Sequence, residues 1–274
     1  MTTTCGTEIP FGVSTAAGHF SSVAGTLAGF AFTGALLTIN RGAVSTTPHL
    51  VHALVSFLCS FVGLVISAYE YSVVTGYAPP ERDVGQGGLA ISEGVLLGAP
   101  FGLSILLLML GLLELVADQP EFSVARRIAL GAVACAGPIM ILAYFLGGAS
   151  DVRNYRLFAH QGGSCNPSAL EWWARVAFGV GVTIIGTALA CRHRLRLGPW
   201  RRYRDLLPVG VLVLSVLTAV TQVVLGAALP RDRPAPDWVL MVFISATVLV
   251  CAGLALSALT IIGDEVSSSP NPMQ

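Results

Sequence analysis

Seven stretches of nearly unbroken apolar residues, punctuated by Gly, Pro and charge, run along the chain at about 17–39, 50–76, 88–116, 128–149, 170–191, 206–229 and 238–262. Each is long enough for the roughly 20 residues that one bilayer crossing needs, so the pattern predicts seven transmembrane helices. The predicted fold class is all-α: a polytopic seven-helix bundle over 17–262, a short N-terminal segment at 1–16 and a disordered tail at 263–274. The third stretch exceeds the hydrocarbon thickness and holds Pro100 between Gly98 and Gly102, which predicts a tilt or kink there. Pro138 follows Gly137 in the fourth, giving two adjacent helices with interrupted backbones.

Composition supports this reading. Of 274 residues 54% are hydrophobic and only 11% charged, against about 25% charged in soluble domains. That excludes a secreted soluble enzyme, a basic nucleic-acid binder and a disordered scaffold, and leaves the lipid bilayer as the first partner. Fifteen basic residues balance fifteen acidic ones, and every basic residue is Arg. Without Lys there is no retinal Schiff base and no lysine-centred catalysis. Arg in place of Lys, with abundant Ala, Gly and Val, fits a high-GC bacterial genome and hence a bacterial cytoplasmic membrane. The first basic residue, Arg41, follows the first apolar stretch, so a signal-peptide n-region is missing and that stretch is expected to be retained.

Orientation follows from the loops. The connection at 192–205 carries Arg192, Arg194, Arg196, Arg201, Arg202 and Arg204, which assigns it to the cytoplasm. Alternation then places nine Arg inside and six outside, the N-terminus outside and the C-terminus inside. The longest connection, 150–169, falls outside, and loops of that length are commonly functional or disordered. Cys5 and Cys165 share that side, where a disulfide is permitted; a bridge and two free thiols both remain open. The other four cysteines read as small packing residues.

Small residues at four-residue spacing allow close helix approach in lipid. Gly25 and Gly29, extended by Gly34, in the first stretch and Gly94, Gly98 and Gly102 in the third form such faces, and the fifth adds Gly179 and Gly186 seven residues apart. They are expected to pack within the bundle, with a homo-oligomer seam as the alternative. Three helices, a linker and three helices also form the layout of parallel-repeat transporters, and the loops APPERDVG and LPRDRPAPD occupy equivalent positions. The helices themselves show no residue match.

Candidate chemistry lies at one level of the bundle. With a rise of 1.5 Å per residue, His19 and Glu93 lie about 14 Å outward of their helix centres, Glu70 about 11 Å, and Arg175 and Gln222 about 8 Å. Ionisable groups inside a membrane are costly and tend to face the bundle interior, where they mark pathways. One reading is therefore an outer polar vestibule in which Glu70 and Glu93 share a proton or cation beside Arg175, since two adjacent carboxylates do not readily both ionise. The competing reading is a set of interface charges tied into local pairs, such as Glu171 with Arg175 at i, i+4. Glu114, near the inner end of the third helix, is either an exit-side partner or a solvated helix end. His49 and His52 read as packing or interface histidines, because no second ligand pair lies at their depth. No HExxH, GxSxG or Walker loop is present, so no enzyme activity, metal or cofactor is expected. Two function classes remain: a small-solute or proton pathway, and a non-catalytic sensor or assembly component acting through the outer loop or the Arg-rich loop.

Overall fold

The computed structural model describes residues 13–42, 47–76, 87–117, 121, 123–159, 167–190 and 206–268. These are helical apart from short connections such as 229–236, and they contain no strand. The elements are α1 (Val13–Gly42), α2 (Pro48–Thr75), α3 (Gly87–Ala117), α4 (Ser123–Gly131), a π-helical turn (Ala132–Ala136), α5 (Gly137–Ala159), α6 (Ala169–Ala190), α7 (Leu206–Ala228) and α8 (Asp237–Ser268). With α4, the π turn and α5 counted as one span, seven helices are long and apolar enough to cross a membrane. The protein is a multi-pass membrane protein built as a seven-helix bundle. The Arg-rich loop, Cys5 and Cys165 lie outside the described residues.

α3 is the axis of the bundle, packing against α1, α2, α5, α7 and α8. It is apolar on most of its circumference, as a helix surrounded by other helices must be, and Leu97, Leu103, Leu107 and Leu113 on it are fully buried. α1 lies at the periphery along α2, whereas α6 lies against α5 and α8. The two groups of three helices are thus arranged differently, and the repeat suggested by the two loops does not extend to packing.

Three sequence expectations change. α3 runs through Pro100 as one helix; the irregular backbone occurs in the fourth span. There Pro138 lacks an N–H and its ring presses on the carbonyl four residues back, and a π turn accommodates it, with the Gly137 N–H donating to the Ala132 carbonyl. The first ten residues of the predicted loop at 150–169 belong to α5. Hydropathy ends this helix early because Arg153 and Arg156 are polar, yet both are held by ion pairs to α6 and α8. Likewise α8 continues to Ser268, into the predicted tail.

The glycine faces also divide. A Cβ at Gly98 would meet the Tyr144 ring at 2.0 Å, and one at Gly102 would meet Ile141 at 2.6 Å, so this face of α3 admits α5 closely. At Gly25, Gly29, Gly179 and Gly186 a Cβ would meet nothing within 4 Å. Those faces point away from the bundle, contrary to the expected internal packing. Ala24, Ala28, Ala31 and Ala35 make the close contact of α1 instead, joined by Gly34, where a Cβ would lie 2.9 Å from the Phe57 ring of α2 as expected.

Candidate functional site: a carboxylate pair and a polar seam

The ends of the spans define two membrane faces: face one, at the ends of α2, α5 and α7, and face two, at the starts of α2, α4 and α7. Glu70 on the last turns of α2 and Glu93 in the second turn of α3 approach each other near face one, within electrostatic range. Both are buried, at 1% and 0% exposure. Gln222 of α7 donates from Nε2 to Glu93 Oε2 over 3.4 Å, and Gly226 one turn on leaves a Cβ position 4.0 Å from Glu93 Oε1. Neither oxygen of Glu70 has a hydrogen-bond partner. Buried polar atoms are almost always paired, which makes this carboxyl group the most conspicuous one in the bundle.

The structure brings together Glu70, Glu93 and Gln222, three of the five residues expected to form the vestibule. Arg175 is elsewhere. Its guanidinium pairs with Glu171 on its own helix, and Glu171 also accepts from Arg153 Nη1 at 2.8 Å. This local pairing removes Arg175 from the carboxylate pair, because α6 packs on α5 and α8 rather than on α2. His19 lies on the exposed face of α1, opposite the alanines that contact α2. The segment after α7 folds over the site from face one: the Ala235 N–H donates to Ser92 Oγ at 2.9 Å, Tyr155 donates to the Asp232 carbonyl at 3.1 Å, and the Leu89 N–H to the Arg231 carbonyl at 3.2 Å. Gly88 permits that approach, since a Cβ there would lie 2.6 Å from the Asp232 carbonyl oxygen. Arg156 fastens the same region by a two-pronged pair to Asp237, at 2.6 and 3.1 Å.

At face two, Glu114 is buried and bonded to His49 Nδ1 at 3.0 Å. It is not the solvated helix end that one sequence reading allowed. Glu93 and Glu114 are 21 residues apart on α3, as His49 and Glu70 are on α2. That is about 32 Å of helix, close to the hydrocarbon thickness of about 30 Å.

Between these ends, α2 carries His49, His52, Ser56, Ser60, Gly63, Ser67 and Glu70, a polar or glycine position at every turn on one face. α7 adds Ser215, Thr218 and Gln222 at matching spacing, and α3 adds Ser104. All of these serines and Thr218 are buried. The three helices meet at Gly63, where a Cβ would lie 2.3 Å from Ser104 Oγ and 3.4 Å from Ser215 Oγ; Ser60 donates to the Ser104 carbonyl at 2.8 Å. Ser67 and Ser104 have hydroxyls without a hydrogen-bond partner. Sequence reasoning overlooked this seam because single serines do not interrupt hydropathy. The signal was present in their spacing of three, four and seven residues.

A separate cleft opens between α1 and α5 over the glycine face of α3. It comprises cavities of about 290 and 270 Å³ that share Phe20, Tyr71 and Tyr144. Its walls are mostly aromatic and apolar, with Tyr71 edge-on to Phe101 and stacked on Phe20, and Asp151 lines the larger cavity. Among the described residues no group of His, Cys, Asp and Glu is arranged to hold a metal ion. Comparison of the chain with known protein families, with curated proteins and with solved structures finds no match.

Proposed function

We propose that the protein is a transporter-like pathway for protons or small cations in a bacterial cytoplasmic membrane, with Glu70, Glu93 and Gln222 as its binding site. The observation that carries this reading is Glu70 itself: a carboxyl group fully buried at membrane depth, facing a second carboxylate and receiving no hydrogen bond. Such an arrangement costs stability. A cation or proton held between the two oxygen pairs offsets that cost, so occupancy and release become the working states of the site. Arg175 and His19 take no part in binding. The Arg-rich loop at 192–205 assigns face two to the cytoplasm by the positive-inside rule, so the carboxylate pair lies on the outer side. Reporter fusions after residue 264 and within 197–200 should both report cytoplasm; opposite sides would remove this orientation.

The functional test uses purified protein in liposomes with an entrapped pH-sensitive dye. Glu93→Gln keeps the shape and the link to Gln222 but removes one charge, and it should lower flux by about a hundredfold while the protein still assembles. A sensor or assembly component would instead tolerate Glu93→Gln and lose its role when residues 153–165 are replaced. Unchanged flux in Glu93→Gln would overturn the assignment of the site.

A further inference from the structure

We infer that the cleft between α1 and α5 is a binding site for a small lipophilic amine, a molecule with a planar apolar body and one ammonium group, and that Asp151 is its counter-ion. This site lies apart from the carboxylate pair and stands whether or not protons cross the bundle. The cleft is long enough for both halves of such a ligand. Tyr144 and Asp151 are seven residues apart on α5 and both line the larger cavity, so the carboxylate stands two helical turns, about 10 Å, beyond the tyrosine towards face one. Deeper in, Phe20, Tyr71 and Phe101 form an aromatic cluster with ring centroids 5.4–5.8 Å apart, stacked or edge-on. Rings held in this way receive a further planar group by the same stacked and edge-on contacts. The cavities of about 290 and 270 Å³ meet at Phe20, Tyr71 and Tyr144, and together they reach the size of a small-molecule site.

Charge identifies the other end of the ligand. Among the described residues that line the cleft, Asp151 alone is charged. Arg153 and Arg156 follow it on α5 but turn to the far side of that helix, where Glu171 and Asp237 hold them. Among the described residues Asp151 therefore forms no ion pair. The Tyr144 hydroxyl is already committed, donating to the Gly94 carbonyl at 2.7 Å. A carboxylate without a cation at the mouth of an apolar cleft favours a ligand that brings its own positive charge, and aromatic faces beside it add to that preference. A lipid acyl chain would fill the apolar part but leave Asp151 uncompensated, and the ammonium of a zwitterionic lipid brings a phosphate of the same sign as Asp151. Entry is from the side: Phe20 and Tyr144 are 36% and 37% exposed at the rim, where an amine dissolved in the bilayer arrives.

The test is equilibrium binding of naphthylmethylamine, naphthylmethanol and naphthylacetate, which share one ring system and differ in charge, to the full chain in detergent, with protein-free micelles as the blank. The amine should bind about tenfold more tightly than the alcohol, and the acetate more weakly than either. Asp151 is exposed, so Asp151→Asn should leave thermal unfolding unchanged, and it should cut the advantage of the amine to about twofold or less while the alcohol binds as before. Gly147 also lines the larger cavity, and a Cβ there would meet nothing within 4 Å. Gly147→Leu should therefore place its side chain in the cleft and abolish binding of amine and alcohol alike, with no loss of stability because Leu is the better helix former. Similar affinity of wild type for the three probes, an amine preference that survives Asp151→Asn, or binding unaltered by Gly147→Leu would each overturn the site. Phospholipid that stays bound in equal amount to the protein and is not displaced by the amine would also overturn it, assigning the cleft to acyl chains.

Discussion

Glu70→Leu is expected to make the bundle more stable and to stop proton movement. Leu is close to Glu in volume, and the carboxyl oxygens it replaces have no hydrogen-bond donor and face another carboxylate. Relieving a buried polar group without a partner should stabilise the fold by about 1–3 kcal/mol. The same change removes one of the two carboxylates of the site, so flux should drop by about a hundredfold or more. Denaturant titration of the helical signal in detergent measures the first effect and the liposome assay the second. A residue whose replacement improves stability while abolishing activity is retained for function. Lower stability with unaltered flux would mean that Glu70 is a structural element of the α2–α3 interface.

Gly63→Val should have the opposite effect on stability. The valine methyls would enter the space occupied by Ser104 Oγ and approach Ser215 Oγ, forcing α2 away from α3 and α7. Overpacking at such a contact costs about 1–3 kcal/mol, which the same denaturant titration reads. Gly25→Ala is the matched control. Its new methyl meets nothing within 4 Å, and Ala is the better helix former, so stability should equal or slightly exceed wild type. Equal behaviour of the two variants would show that the α2–α3–α7 contact is looser than its geometry indicates.

The number of spans and their approximate limits were legible in the sequence because a bilayer imposes a length and a polarity on each crossing. Helix ends were not, wherever ion pairs rather than hydropathy sustain the helix. Arg153 and Arg156 read as loop residues until Glu171 and Asp237 are seen to hold them. Depth arithmetic brought Glu70, Glu93 and Gln222 to one level, and the packing of α2, α3 and α7 brings them to one site. The same arithmetic placed Arg175 and His19 at that level too. Depth gives height along the membrane normal but not the direction in which a residue faces, and both face elsewhere. The glycine spacing was similarly blind to direction: it was right for Gly98 and Gly102 and wrong for Gly25 and Gly29, where alanines take the contact. The pairing of buried Glu114 with the half-buried His49 joins two helices across 65 residues of sequence, which no local pattern reveals.

The most direct measurement is proton flux through wild-type protein in liposomes under an imposed pH gradient, with the membrane potential clamped and the dye inside. The gradient should dissipate at a rate proportional to the amount of protein incorporated, and incorporation of Glu70→Leu at equal density should leave only the leak of protein-free vesicles. A wild-type rate indistinguishable from that leak, for gradients of either direction, would contradict a pathway built on the Glu70–Glu93 pair.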